Sequence, residues 1–306
     1  NKLRWVISRF LPLLTFSFAL AALLGTLPAH AQVAERTVEV FDTQASTGTS
    51  GIGKQQAELS QLDSQQARLN NGSGANDIPL TNLRRLRFVD RQPTPALEQI
   101  VTFRDGSTVP VQSIVLDAQQ SATLTLGDGT KLDVAPGKLA DVRFKSLSEA
   151  QQTQWEAMRQ SRLAADMLVL VRSAEVLDKI EGVINSITAE AVNFEFDQQQ
   201  IPAPIARLAG VRFFSSRDDP QLRLAAIVKD VHGGVWNAAE LAVEPGDSAM
   251  QVKLRSGVEV ALPLSSLLEI DFSVGSQKYL AELEPIDRAT QPRFSLPIEI
   301  AGSSQV

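Results

Sequence analysis

The chain has 306 residues, of which 43% are hydrophobic and 21% charged, and it contains no cysteine and two histidines. This length allows one large domain or two to four small ones, and the apolar content is sufficient for packed cores. The counts exclude disulfide frameworks, cysteine nucleophiles and cysteine-based zinc sites. A site that needs two histidines is also excluded if His30 is removed with the N-terminal segment.

Residues 1–31 have the three parts of a secretory signal peptide. Basic residues near the start precede an apolar run from Phe10 to Leu24, and a small-x-small site ending at Ala31 predicts cleavage before Gln32. An uncleaved membrane anchor is the alternative, but the run is shorter than the roughly 20 residues that span a bilayer. No cysteine follows the site, which excludes a bacterial lipoprotein. We therefore expect a secreted or periplasmic protein of the cell envelope that is not an integral membrane protein after cleavage.

Three of the 29 basic residues and none of the 35 acidic ones lie in residues 1–31, so the mature chain has a net charge of −9. This balance disfavours binding to nucleic acid, which depends on neutralising phosphates. One basic patch stands out, and its position on an alternating strand predicts a solvated face. It consists of Arg84, Arg85, Arg87 and Arg91.

Four segments share the ending Leu-x-x-(Leu/Val/Ile)-x-Phe, and each has a proline a few residues upstream. The leucines are Leu83, Leu139, Leu208 and Leu267, and the phenylalanines are Phe88, Phe144, Phe213 and Phe272. Four such matches indicate an internal repeat. Turn residues such as Asn71-Gly72 and Ser256-Gly257, flanked by alternating apolar positions, predict hairpins within each repeat.

Each repeat is therefore predicted to contain about five strands, with a short proline-led turn before the last one. A single hairpin is marginal in water, so the strands must close on themselves to bury a shared face. A small SH3-like or Sm-like barrel satisfies this need. The predicted fold class is mainly β, with tandem barrel repeats in which the motif leucines and phenylalanines form the cores.

One helix is predicted between the second and third repeats. Residues 148–165 contain helix-forming side chains and neither glycine nor proline, and Ser148 can cap the helix with Glu149 in its first turn. Trp155, Met158 and Leu163 recur at roughly helical spacing, which favours packing over a binding role. The Gln-rich segment 54–70 is compatible with a helix by propensity, but the register of the repeat predicts strands.

No catalytic constellation is recognisable in the sequence. His232 lies in Asp230–Gly234, which predicts a hairpin turn, and Asp218–Pro220 resembles a linker turn. There is no nucleophile elbow, P-loop, dinucleotide fingerprint or calcium loop. We predict no enzyme, no catalytic residue, no metal and no cofactor. A carboxylate-dependent glycosidase is the less favoured alternative, because 35 acidic residues leave room for a carboxylate pair.

Two aromatic residues are weak candidates for ligand binding, since sugar-binding modules present exposed tryptophan or tyrosine faces. Trp236 follows Gly233-Gly234 and would suit a hairpin tip, although packing on a neighbouring repeat is the alternative. Tyr279 begins a distinctive segment in which Leu280, Leu283, Glu284 and Pro285 follow. This segment resembles the entry to the novel carbohydrate-binding module NPCBM, found in secreted planctomycete proteins after a repetitive β-rich region.

The resemblance implies a secreted protein with a sugar-binding β jelly roll, of which residues 276–306 would be only the start. Its ligand residues cannot be transferred to this chain. The predicted organisation is a signal peptide (1–31), β repeat 1 (32–92), β repeat 2 (93–146), a helix (147–165), β repeat 3 (166–217), β repeat 4 (218–275) and the truncated module (276–306).

The expected function is that of a non-catalytic envelope protein, a β-repeat scaffold attached to a carbohydrate-binding module. The expected partners are a polysaccharide or cell-envelope glycan and envelope proteins, with no nucleic acid. The alternative is a protein-interaction or assembly module of the cell envelope, in which barrel edges pair with partner strands.

Overall fold

The computed structural model describes residues 36–42, 53–216 and 221–276, and the described chain is mainly β, as predicted. Twenty strands pair antiparallel in four groups of five, which we call units 1 to 4. Unit 1 contains β1 (Thr37–Asp42), β2 (Gly53–Leu62), β3 (Gln66–Asn70), β4 (Ala75–Pro79) and β5 (Leu83–Phe88). Unit 2 contains β6 (Gln99–Phe103), β7 (Thr108–Leu116), β8 (Ala122–Leu126), β9 (Lys131–Val134) and β10 (Leu139–Arg143).

Unit 3 contains β11 (Asp166–Val171), β12 (Leu177–Ile187), β13 (Ala191–Phe196), β14 (Gln199–Pro204) and β15 (Leu208–Arg212). Unit 4 contains β16 (Ala226–Asp230), β17 (Val235–Ala242), β18 (Ala249–Leu254), β19 (Glu259–Pro263) and β20 (Leu267–Asp271). The strands predicted over residues 54–70 are confirmed as β2 and β3. No helix in the described part of the chain is long and apolar enough to cross a membrane.

The pairing pattern is the same in all four units. The first strand pairs with the second and the fifth. The second strand also pairs with the third, and the third pairs with the fourth. A one-turn 3-10 helix precedes the last strand in units 2 to 4, at Pro136–Lys138, Ile205–Arg207 and Leu264–Ser266. The motif leucines are at most 1% exposed and the motif phenylalanines at most 5%. Their prediction as core residues is confirmed.

Units 2 and 3, and units 1 and 4, are joined through their last strands. β10 pairs with β15 about Val142 and Val211, and β5 pairs with β20 about Leu86 and Ile270, so the same motif position is opposite itself in both cases. As a result, each last strand has a neighbour on both sides. Part of the predicted basic patch lies on β5, along such a junction. There, Nη2 of Arg85 is 3.8 Å from Oδ2 of Asp271.

Helix α1 (Glu149–Gln160) covers the junction of units 2 and 3. Ser148 and Gln151 form a reciprocal capping box, and Trp155 is buried in a second apolar cluster, as predicted. The helix is shorter than the predicted span because Ser161 ends it, with the Ser161 hydroxyl donating to the carbonyl of Met158. A one-turn helix α2 (Ser273–Ser276) follows β20.

Gly210 permits the close approach of this helix. A β-carbon at position 210 would lie 2.2 Å from the carbonyl oxygen of Val142 and 2.6 Å from Cη2 of Trp155. These distances are far below van der Waals contact, so only glycine fits between the paired strands and the indole ring.

Candidate functional site

The structure places Trp236 inside unit 4 and only 1% exposed. Its Nε1 donates to Oδ2 of Asp230 at 2.7 Å, and the other carboxylate oxygen of Asp230 accepts from the backbone N–H groups of His232 and Gly234. The indole ring therefore presents no face to a sugar. Burial with a satisfied N–H is the usual state of a core tryptophan. The other candidates, Tyr279 and the cleavage pair Ala31 and Gln32, lie outside the described residues.

His232 lies in a turn of unit 4 that packs against unit 2. Its Nδ1 is 2.9 Å from the hydroxyl of Thr94, and a β-carbon at Gly127 would lie 2.3 Å from its Cγ. The β16–β17 turn of unit 4 thus packs on the β8–β9 turn of unit 2. The turn predicted at Asp230–Gly234 is confirmed. No cluster of three metal-ligating side chains occurs among the described residues.

In a second contact between these two units, a turn of unit 2 packs against unit 4. The buried carboxylate of Asp105, in the β6–β7 turn, accepts from the backbone N–H of Ser107 at 2.8 Å and of Ser256 at 3.0 Å. Between the two turn contacts, Thr108 of β7 lies opposite Val235 of β17. Units 2 and 4 therefore cover each other reciprocally at these turns, and we call the ends of these two units closed.

Unit 3 has the same kind of end, but it is uncovered. Phe194 lies opposite Ile201, just as Leu124 lies opposite Leu132 in unit 2 and Val252 lies opposite Val260 in unit 4. Leu132 and Val260 are 7% and 5% exposed, whereas Ile201 is 45% exposed. The apolar residue is retained at this position although no residue in the described part of the chain buries it.

Ile180 and Phe196 extend this surface. We call Ile180, Phe196 and Ile201 together the apolar rim, and they are 36%, 48% and 45% exposed, respectively. By strand alternation they share the inner face of unit 3 with Ile184 and Phe194, which are buried. Of the eight exposed large hydrophobic side chains among the described residues, five lie in unit 3. Such a concentration is typical of an interaction surface.

A β-bulge of the second strand lies at a different position in unit 3 than in units 2 and 4, and unit 1 shares the position of unit 3. In units 2 and 4 the second strand bulges near its middle, between Val111 and Ser113 and between Ala238 and Glu240. In unit 3 the irregularity comes later, after Ile184, and Gly182 accommodates the bend. A β-carbon at Gly182 would lie 2.3 Å from the carbonyl oxygen of Glu195. Bulges redirect a strand, and β13 pairs with β12 only from Val183 onward.

The attached side of unit 3 is fixed by charged groups beneath α1. Asp141 is buried and lies opposite Arg212, and it accepts from Nε of Arg159 at 3.1 Å. Burial raises the pKa of the Asp141 carboxyl above its ordinary value, against the opposing effects of the Arg159 charge and the Thr102 hydroxyl. Arg212 donates to the last carbonyls of α1, including that of Arg159 at 2.9 Å. This cluster therefore anchors the helix to both units.

A cleft of about 640 Å³ beside this cluster is lined by Arg104, Arg162, Arg212 and Phe214 among others. Arg104 donates to the carbonyl of Gly137 at 2.8 Å and to that of Phe213 at 2.9 Å. Arg104 and Arg212 therefore both bind main-chain carbonyls, which gives them a structural role in the fold.

Comparison with known proteins gives no relative from which a function could be transferred. No family model, no curated protein and no solved structure matches the chain. The resemblance to NPCBM rests on residues 279–285, which lie outside the described part, and it stays a prediction. The apolar rim of unit 3 is thus the candidate functional site, and no sequence pattern indicated it, because the matching residues of units 2 and 4 are buried.

Proposed function

We propose that the chain is a non-catalytic scaffold of the cell envelope that binds protein through the apolar rim of unit 3. The exposure of Ile201, compared with the burial of Leu132 and Val260, carries this proposal. Leaving a large apolar side chain in water forfeits roughly 1.5–3 kcal/mol that its burial would contribute. A partner that covers the rim would recover part of this free energy.

The same proposal includes the fold type of the four units. We assign them to the SH3-like or Sm-like barrels, supported by the pairing of each first strand with the second and fifth and by the 3-10 turn before the last strand. Small barrels of this kind leave strand edges and rims available for extended segments of a partner. Fold alone does not establish function, so the rim carries the argument.

The location and the carbohydrate-binding module are proposals that rest on sequence. Residues 1–31 support export, and residues 279–285 support attachment to a sugar-binding module. If a glycan is bound, we expect its contacts outside unit 3, so the full chain should be retained on insoluble polysaccharide equally well with and without an Ile201→Asp substitution.

Site-specific photo-cross-linking of the full chain in cells tests the protein-binding function. A cross-linking amino acid at position 201 should form adducts with protein, because this side chain lies at the rim. Position 259 is the matched control, since Glu259 is an exposed strand residue of the closed unit 4. An absence of protein adducts at position 201, or the same adducts from both positions, would contradict the proposal.

A further inference from the structure

The first half of β12 has a free edge beside the apolar rim. Residues 177–182 pair with β11 on one side, whereas β13 pairs with β12 only from Val183 onward. The N–H of Leu177 donates to the side chain of Gln154 and not to β11. The backbone N–H and C=O groups of successive residues point to alternate sides of a strand. Those of Lys179 and Glu181 therefore point to the same side as those of Leu177, away from β11. Two hydrogen-bonding residues are therefore available at this edge.

The molecule already contains a pairing of two such edges. Thr108 of β7 and Val235 of β17 occupy the position that Lys179 occupies in β12, as their partners in the first strands show. They lie opposite each other in an antiparallel arrangement. The second strands of two units with this fold can therefore meet edge to edge, and in units 2 and 4 this contact accompanies closed barrel ends.

The charges on the free edge are complementary to themselves. The sequence from position 178 reads Asp-Lys-Ile-Glu-Gly. If two copies pair antiparallel about Ile180, Lys179 of each copy lies opposite Glu181 of the other. In the register of the β7–β17 contact, Lys179 would instead face Lys179 of the second copy, which is unfavourable because like charges on directly opposite residues repel. The charge pattern therefore selects the register centred on Ile180.

We propose that the occupant of this surface is a second copy of the chain, bound by antiparallel pairing of the two β12 edges about Ile180. Such a two-fold contact is isologous, so each copy contributes the same residues. It satisfies the backbone groups of Lys179 and Glu181 and brings the apolar rims of the two copies together. The inference rests on the proposed function, because it names the partner of the same rim.

Sedimentation velocity of the full mature chain over a range of concentrations tests the dimer. The wild type should dimerise, and Lys179→Glu should weaken dimerisation by about tenfold or more, because it creates two like-charge pairs. The double variant K179E/E181K restores opposite charges in this register and should dimerise like the wild type. Lys179→Glu also removes the surface ion pair between Lys179 and Glu181 of the same chain. Lys253→Glu is therefore the matched control, because it removes a surface ion pair with Glu240 in unit 4 and should leave the dimer intact.

A wild type that is monomeric at all concentrations would overturn the proposal. A K179E variant that dimerises normally, or a double variant that stays monomeric, would overturn it as well, since both contradict the register. Near-ultraviolet circular dichroism checks that each variant is folded. Cross-links from position 201 that contain other proteins and no second copy would refute the dimer while leaving the protein-binding function in place.

Discussion

The closed end of unit 2 and the open end of unit 3 differ although their strands pair in the same way. Leu132 and Ile201 occupy the same place in the fourth strand, yet the first is buried and the second is nearly half exposed. The two ends differ in the position of the bulge, and a turn of unit 4 packs against the β8–β9 turn of unit 2. Strand alternation places both side chains on the inner face, so alternation alone does not decide burial at this position.

The largest expected effect comes from truncating these two side chains. Leu132→Ala should lower the free energy of unfolding by about 2–5 kcal/mol, because it leaves a cavity in the apolar core to which Leu132 belongs. At protein concentrations where the chain is monomeric, Ile201→Ala should lower it by less than about 1 kcal/mol, because much of this side chain is then in water. Urea unfolding of the two variants measures both values. Equal losses would mean that the end of unit 3 is covered as well.

A second test removes the contact that closes unit 4. Asp105→Ala leaves the buried N–H groups of Ser107 and Ser256 without their acceptor, which should cost about 1–3 kcal/mol. Ser173 lies in the corresponding turn of unit 3, where its exposed hydroxyl accepts only a 3.3 Å bond from Glu175. Ser173→Ala should therefore change the free energy of unfolding by no more than about 0.5 kcal/mol. A large effect at Ser173 would show that this turn is also held by packing.

The elements of each unit could be predicted from the sequence because their signals are local. The Leu-x-x-(Leu/Val/Ile)-x-Phe ending combines strand alternation with a fixed turn, and it identified all four last strands and their core residues. The helix was recognisable from Ser148 and from the spacing of Trp155 and Met158. Its end was missed because the hydrogen bonds from Arg212 to the carbonyls at the end of the helix come from a strand far along the chain.

The arrangement of the units could not be predicted, since identical motifs do not specify partners. Nothing in the sequence states that Leu86 lies opposite Ile270 while Val142 lies opposite Val211. Trp236 looked suitable for a hairpin tip because Gly233-Gly234 precedes it. The turn instead folds back so that Asp230 reaches the indole N–H. A single extra residue in a strand makes a bulge, and a bulge has no sequence signature strong enough to reveal which unit has an exposed apolar rim.

The smallest expected effect concerns the side of unit 3 that packs against unit 2 and α1. This junction contains the buried carboxyl group of Asp141, whereas the apolar rim consists of uncharged side chains. Burial raises the pKa of Asp141 in the folded state, so the folded protein binds this proton more tightly than the unfolded chain. The resulting contribution to stability is complete below the unfolded pKa of 3.8 and is lost as the pH rises through the raised folded value. Asp141→Asn removes this titration.

The measurement is the difference in unfolding free energy between the wild type and the Asp141→Asn variant as a function of pH. The wild type should lose stability relative to the variant as the pH rises above 3.8 and through the raised folded pKa of Asp141. Other carboxyl groups titrate in both proteins and cancel in the difference. An opposite slope would mean that the Arg159 ion pair outweighs burial and lowers the pKa of Asp141. The junction beneath α1 would then be stabilised by charge pairing, and its contrast with the uncharged, uncovered rim would become sharper.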